Sequence, residues 1–164
     1  MASGDTLAIF TPHAAQFPAS NYATFNTRNT HLVLQFDTTT QETIYFSGVM
    51  PRNYAGGNLT VSVTWSAASA ITGTIGWGVT FERIASGGDD MDADSFATEQ
   101  TITATTVSGT SGVVLKTSVT ITAGATGTDS IAAGDDFRIR IRRDVANDTA
   151  TGDAELWSVE IREA

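Results

Sequence analysis

The 164-residue chain contains no cysteine and only one lysine, Lys116. Without cysteine it cannot form disulfides, zinc–thiolate sites or iron–sulfur clusters, and thiol catalysis is excluded. Charged residues make up 16% of the chain, against about 25% in an average soluble protein. A helical protein of this size would carry many Lys and Glu residues on its exposed faces. The shortage of charge therefore argues against a helical fold.

Positive charge and long apolar runs are also scarce. Nine Lys and Arg residues stand against 18 Asp and Glu, which gives a formal net charge of −9. This balance argues against a nucleic-acid partner, because such binding rests on neutralising phosphates. The apolar runs are too short for a membrane-spanning helix. The N-terminus, Met-Ala-Ser-Gly-Asp, lacks the basic and apolar regions of a signal peptide. We expect no nucleic acid and no membrane among the partners.

The residues that usually carry catalysis are few. Histidine is the usual general base, and the chain has two, His13 and His31, neither within a catalytic motif. The segment 109–112 lacks the Gly-x-Ser-x-Gly spacing of a nucleophile elbow. No glycine-rich loop is followed by Lys and Ser or Thr, as phosphate binding would require. The sequence predicts a protein that is not an enzyme and has no cofactor.

Threonine is abundant, at roughly one residue in six, and its branched side chain suits a pleated sheet. From residue 31 onwards, apolar and polar residues alternate in eight separate runs. Leu59, Val61, Val63 and Trp65, for example, alternate with Thr and Ser, which is typical of a half-buried strand. We predict an all-β fold, an eight-stranded antiparallel jelly-roll sandwich with two four-stranded sheets and no long helix.

Residues 1–30 do not follow this alternation. They include two of the three prolines and four aromatic residues without a clean period. We predict an extended N-terminal arm over 1–30, with one short strand near residues 7–10, followed by the jelly-roll domain over 31–164. Such an arm would lie either on its own barrel or on a neighbouring subunit, and the favoured alternative is an ordinary N-terminal strand and loop that close the fold. Its aromatic residues are candidates for partner binding: Phe10, Phe17, Tyr22 and Phe25.

Four of the nine basic residues lie between Arg138 and Arg143. Alternation places Arg138, Arg140 and Arg142 on one face of a strand. In an acidic protein such arginines usually pair with carboxylates, for which the candidates are Asp144, Asp148, Asp153 and Glu160. The alternative is an ion-pair patch facing a second subunit or a partner, because arginine is favoured at interfaces.

The acidic run 89–94 is the best candidate for a metal site. Alternate carboxylates in a loop, here Asp90, Asp92 and Asp94, can converge on one Ca²⁺. An EF-hand loop starting at Asp90 would need Gly at position 95 and Glu at position 101, where the chain has Ser and Thr. A solvated acidic loop is the favoured interpretation, and these three residues remain a weak metal candidate.

The three tryptophans offer two interpretations. Trp65, Trp77 and Trp157 could form a platform on which sugars stack. Each, however, is in phase with the aliphatic residues of its predicted strand. We therefore predict that all three belong to the core.

The chain resembles small structural proteins of tailed bacteriophages that are rich in Ala, Thr and Gly. The resemblance lies in three stretches: Gln16–Asp37, Trp65–Val79 and Arg143–Leu156. Proteins of this kind cement or decorate the capsid as jelly-roll trimers. The resemblance implies a non-enzymatic homotrimer on the outer capsid surface of the virion, bridging neighbouring major capsid proteins. A head-fibre or tail-fibre tip, or a carbohydrate-binding adhesion module, is the alternative.

Overall fold

The computed structural model describes residues 4–164, which form ten β-strands and one short 3-10 helix, Pro12–Ala14. In chain order the strands are β1 (Thr6–Phe10), β2 (Thr24–Arg28), β3 (His31–Phe36), β4 (Thr43–Val49), β5 (Leu59–Ala67), β6 (Thr74–Ile84), β7 (Gln100–Thr106), β8 (Leu115–Ile121), β9 (Asp136–Arg143) and β10 (Ala154–Glu163).

The eight strands from β3 onwards divide equally between two antiparallel sheets, and the prediction of an all-β jelly roll is confirmed. The predicted count of eight strands in two four-stranded sheets is wrong, because β1 and β2 also pair into one of the sheets. In sheet 1 the order is β3-β10-β5-β8, and in sheet 2 it is β4-β9-β6-β7. The chain crosses between the sheets after nearly every strand, as in a jelly roll. Alternation places one face of each strand in the core between the sheets.

Two further strands lie within the expected N-terminal arm. Strand β1 pairs with the second half of β10, from Thr6 opposite Arg162 to Phe10 opposite Val159. Strand β2 pairs with β3 through a two-residue turn, Asn29-Thr30, in which both residues have positive φ, as hairpin turns of this length favour. Both strands extend sheet 1 to six strands. Residues 1–3 of the expected arm lie outside the described residues.

The centre of the core is aromatic. Trp65 of β5 and Trp77 of β6 are fully buried, with ring centroids 6.4 Å apart across the two sheets. Phe36 meets Trp77 edge-on at 5.1 Å. The prediction that these two tryptophans belong to the core is confirmed.

Trp157 departs from the predicted phase. A β-bulge between Leu156 and Ser158 shifts the register of β10 against β5. Such an extra residue turns the following side chains to the other face, so Leu156 and Val159 are buried while Trp157 is half-buried. Its indole Nε1 donates to Ser66 Oγ at 2.9 Å. The prediction that Trp157 is a core residue is wrong.

Arg143, at the end of β9, is completely buried. Its Nε donates to Asp148 Oδ2 at 2.6 Å. The Nη1 and Nη2 groups donate to backbone carbonyls of two connections, those of Gly152 and Ala150 after β9 and those of Phe36 and Asp37 at the end of β3. One guanidinium thus ties together two loops at one end of the sandwich.

Replacing Trp65 or Trp77 by Ala should lower the free energy of unfolding by about 3–5 kcal/mol, because burial is lost and a cavity remains. Trp157→Ala is the matched control and should cost clearly less, since that side chain is only partly buried. Thermal and urea unfolding of the three variants measure this. Equal melting of wild type and the Trp65 variant would contradict the assignment.

Asp148→Asn should destabilise the fold by about 3–5 kcal/mol, because it leaves the buried Arg143 charge without its counter-ion. Asp136→Asn is the control. It removes a carboxylate at the exposed start of β9, the strand that ends at Arg143. Its free energy of unfolding should stay within about 0.5 kcal/mol of that of wild type. Urea unfolding of both variants is the measurement. If Asp148→Asn lowered the free energy of unfolding no more than the control does, the ion pair between Asp148 and Arg143 would contribute nothing to stability.

Candidate functional site

The segment between β1 and β2 closes one side of the sandwich. Gln16 exchanges two backbone hydrogen bonds with Tyr45 of β4, at 2.8 and 3.0 Å. Farther along, the N–H of Thr43 donates to the carbonyl of Asn21 at 2.9 Å. These bonds cover the edge of sheet 2, where an exposed strand would invite pairing with another chain. The chain then enters β2 and so joins sheet 2 to sheet 1.

Three of the aromatic residues predicted to bind a partner converge on this side. Phe17, Tyr22 and Phe25 are 40, 41 and 50% exposed. The Phe17 ring lies 5.6 Å from that of Tyr22 and 5.2 Å from that of Phe25, at steep angles of 77° and 70°. With Pro18, Ala19 and Thr24, they line an open cleft of about 520 Å³. We call this feature the aromatic cleft.

None of the described residues that line the aromatic cleft is charged. Three of them are aromatic, and two, Tyr22 and Thr24, carry a hydroxyl group. Exposed apolar patches rimmed by polar groups are typical of binding sites. The cleft is therefore suited to an uncharged ligand that presents a flat apolar face and a few hydroxyl groups.

Phe10, the fourth predicted aromatic, lies elsewhere. It is 8% exposed and its ring stacks on Phe46 at 5.3 Å, with Phe137 edge-on at 6.2 Å. Pairing of β1 with β10 turns this side chain inward, so Phe10 is a core residue rather than a surface one.

The predicted arginine face lies on the outer side of sheet 2 and is paired with carboxylates. Arg138 Nε donates to Glu82 at 2.6 Å, and Arg142 donates from Nε and Nη2 to Glu99. Arg142 Nη1 also donates to Asp144 Oδ1 at 3.2 Å. Of the partners named from the sequence, Asp144 is confirmed for Arg142. The hydrogen bonds with Glu99 raise the pKa of Arg142 above its ordinary value.

Aromatic rings complete this arginine face. Phe96, from the connection between β6 and β7, stacks on Tyr45 at 5.6 Å. The guanidinium of Arg138 lies 4.8 Å from the Tyr45 ring centroid and 4.9 Å from that of Phe96. Gly78 beneath leaves the necessary room, because a Cβ there would lie 2.7 Å from the Glu99 carboxylate. The face is thus filled by residues of the chain itself.

Two carboxylates of the acidic run 89–94 accept hydrogen bonds from backbone N–H groups of their own loop. Asp90 Oδ1 accepts from the N–H of Asp92 at 3.1 Å, and Asp94 Oδ1 accepts from that of Ser95 at 2.8 Å. Asp89, the first residue of the run, pairs with Arg83, and that hydrogen bond lowers the pKa of Asp89 below its ordinary value. Among residues 4–164, no group of three or more side chains has metal-binding geometry.

No protein-family model and no curated protein sequence matches the chain. Solved structures match it in fold. A Clostridium thermocellum xylanase structure with CBM22-1 and GH10 modules, complexed with xylohexaose, matches at a TM-score of 0.57 and 14% identity. The match covers 97% of this chain and 28% of that one, so this chain spans little more than a quarter of that protein.

Two isolated modules match over nearly their whole length. The CBM35 of Abf62 from Cellvibrio japonicus has a TM-score of 0.57 and 8% identity, over 94% of this chain and 91% of that one. The CBM22-1 xylan-binding domain of Xyn10C from Paenibacillus barcinonensis has a TM-score of 0.53 and 12% identity, over 100 and 99%. At such low identities the similarity establishes the fold.

In the part of the chain that the structure describes, no helix is long and apolar enough to cross a membrane.

Glu99→Gln should destabilise the fold by about 1–3 kcal/mol, because charge-assisted hydrogen bonds to Arg142 are lost. Asp90→Asn removes a carboxylate from the same connection, where no arginine pairs with it, and is the control. Thermal unfolding compares the two. Equal stability of both variants would show that the arginine face is not held by Glu99.

Proposed function

We propose that this chain is a non-catalytic binding domain that binds carbohydrate in the aromatic cleft. The observation that carries the proposal is the convergence of three exposed aromatic rings on one uncharged cleft. Exposing one large apolar side chain is ordinary, whereas exposing three in contact with one another is a recognised mark of a binding surface.

A pyranose ring matches this surface chemically. One face of the sugar carries mostly C–H groups and packs on an aromatic ring, while the hydroxyl groups at its rim seek hydrogen bonds. The ring faces of Phe17, Tyr22 and Phe25 supply the apolar contact, and the hydroxyls of Tyr22 and Thr24 supply polar partners. Because no charged side chain lines the cleft, a neutral polysaccharide fits better than an acidic one.

The rings are held before any ligand arrives. Phe25 lies in β2, opposite Leu34 of β3, and Tyr22 is paired with Thr43 at the start of β4. Strands position side chains more accurately than free loops, and preorganisation lowers the entropic cost of binding. The matched structures include a xylan-binding domain and a protein complexed with xylohexaose, which makes xylan and xylohexaose the first ligands to test.

The exposed histidines fit a non-catalytic domain. Neither His13 nor His31 lines the aromatic cleft, and His31 lies 5.8 Å from the ring of Trp157. Among the described residues that line the cleft there is no carboxylate of the kind that acts as general acid or nucleophile in glycoside hydrolysis.

A second candidate function is decoration of a phage capsid, as the sequence resemblance implies. The aromatic cleft also supports this proposal, because large aromatic residues are enriched in the buried centres of protein interfaces. In that case the apolar surface around Phe17 would face the major capsid protein on the outside of the virion. None of the three matched structures is described as a phage protein.

Single replacement of Phe17, Tyr22 or Phe25 by Ala should weaken glycan binding at least tenfold, about 1.4 kcal/mol, because each ring supplies a stacking face. Affinity electrophoresis on xylan and on a panel of other neutral and acidic polysaccharides, followed by calorimetry with xylohexaose, measures this. The melting temperature should change little, since all three side chains are already exposed.

Ile71→Ala is the matched control, because Ile71 is at least as exposed as the three aromatic residues and does not line the cleft. It should leave binding unchanged. Absence of binding to every polysaccharide of the panel by the folded wild type would overturn the carbohydrate proposal. Binding of the wild type to expanded phage capsids, lost in the three aromatic variants, would then support the second candidate.

A further inference from the structure

The outer face of sheet 1 carries a strongly polar cavity. On β5, the side chains that alternate with the core residues point away from the core, and Ser62 is one of them. In the paired strands it lies between Glu160 of β10 and Ser118 of β8. The cavity at this place has a volume of about 440 Å³ and is lined by Gly4, Ser62, Lys116, Ser118, Glu160 and Arg162. We call this feature the polar pocket.

Arg162 brings to the polar pocket a positive charge that no ion pair neutralises. Of the nine basic residues of the chain, all but Arg52 and Arg162 form an ion pair within residues 4–164. Arg52 is exposed, whereas Arg162 is partly buried. A guanidinium without a carboxylate partner is suited to bind the acidic group of a ligand through charge-assisted hydrogen bonds.

Glu160 lies near Arg162 but is held by other residues. Lys116 Nζ donates to Glu160 Oε2, and Thr6 Oγ1 donates to Glu160 Oε1 at 2.8 Å. These hydrogen bonds, above all the one from Lys116, lower the pKa of Glu160 below its ordinary value. The carboxylate is therefore ionised at neutral pH, and its oxygens have further lone pairs that can accept from a ligand hydroxyl. With Lys116 and Arg162 against Glu160, the pocket has an excess of one positive charge.

Two hydroxyl groups of the polar pocket have no partner within the chain. Neither Ser62 nor Ser118 makes a side-chain hydrogen bond to another of the residues that the structure describes. Ser62 is only 3% exposed, and a polar group enclosed to this extent costs free energy unless it forms a hydrogen bond. A group that enters the pocket from solvent would supply the missing partner.

We infer that the polar pocket binds a saccharide that carries one singly charged acidic group, a carboxylate or a sulfate ester. The acidic group would accept hydrogen bonds from Arg162 and balance the excess positive charge. The sugar hydroxyls would form hydrogen bonds with Ser62 and Ser118 and donate to Glu160. A doubly charged phosphate ester fits less well, because Glu160 would repel the second charge.

Simpler ligands match the pocket only in part. A neutral sugar would not use the charge of Arg162, and a simple anion such as acetate has no hydroxyl to donate to Glu160. The side chains of an acidic peptide likewise end in carboxylates without hydroxyl groups. A cation, an ionised carboxylate and two unpaired hydroxyls in one pocket therefore favour a ligand that has both an acidic group and hydroxyl groups.

The polar pocket and the aromatic cleft share no lining residue. The cleft lies beside β2 and β4, whereas the pocket lies on β10, β5 and β8. The inference therefore does not depend on the carbohydrate proposal for the cleft, and either can fail without the other.

Titration of the full chain, followed by nuclear magnetic resonance, tests the ligand class. D-glucuronate or D-glucose 6-sulfate should bind, and the tighter of the two identifies the acidic group. Four other probes should bind about tenfold more weakly than that ligand or not at all, because each matches the pocket only in part. They are D-glucose, acetate, D-glucose 6-phosphate and a triglutamate peptide.

Arg162→Gln should weaken binding of the acidic sugar by about tenfold or more, because charge-assisted hydrogen bonds are lost. Arg52→Gln is the matched control, since it removes the other arginine without an ion pair and lies outside the pocket. It should leave binding unchanged. Ser62→Ala should also weaken binding but should not lower the melting temperature, because the hydroxyl has no partner in the described chain to lose.

Circular dichroism and thermal melts check that the variants are folded, and Ser62→Ala remains a test if Arg162→Gln does not fold. Phe17→Ala should leave this binding unchanged, because that ring belongs to the aromatic cleft. The inference is overturned if neither acidic sugar binds the folded wild type, or if any of the four other probes binds as tightly. It is also overturned if the folded Arg162→Gln and Ser62→Ala variants bind like wild type, or if Phe17→Ala loses binding.

Discussion

The buried guanidinium of Arg143 is the interaction on which the end of the sandwich nearest the aromatic cleft depends. It satisfies carbonyls at the end of β3 and after β9, and Asp148 neutralises its charge. A buried charge is costly unless paired and hydrogen-bonded. The connection from β3 is therefore fixed where it leaves β3, and Asp37 donates its backbone N–H to Glu42 just before β4. Thr43, the first residue of β4, in turn holds Asn21 and Tyr22. A core ion pair is thus linked through this connection to a surface aromatic ring.

Local alternation was sufficient to predict the eight strands from β3 onwards and the burial of Trp65 and Trp77. Burial on one face imposes a period of two, and that period is visible in the sequence itself. It failed at Trp157, because a bulge adds one residue and inverts the phase without any local marker. It could not place Phe10 either, since β1 has five residues and its burial depends on pairing with β10, more than 140 positions away.

The candidate site was predictable in its residues but not in its geometry. The three aromatic residues of the cleft stand out in the sequence because they do not follow the alternation of apolar and polar residues. Their convergence, however, depends on the path of the chain along β4. The carboxylates that neutralise the arginine face show the same limit. Glu82 lies directly opposite Arg138 on a neighbouring strand, and Glu99 belongs to a connection laid over the sheet. Such partners follow from strand order and register, which alternation alone does not encode.

The distribution of charge separates the surfaces of the sandwich by role. The outer face of sheet 2 contains arginines, but Glu82 and Glu99 neutralise them and Phe96 covers them, so this face has little left to offer a ligand. The side with the aromatic cleft has accessible rings, and none of the described residues that line it is charged, which suits a neutral ligand. On the opposite side the sheets end at β7, which a bulge interrupts, and at β8, whose lysine is already paired with Glu160. The surface best suited to a neutral ligand is therefore the one beside β2 and β4, where the aromatic rings are exposed.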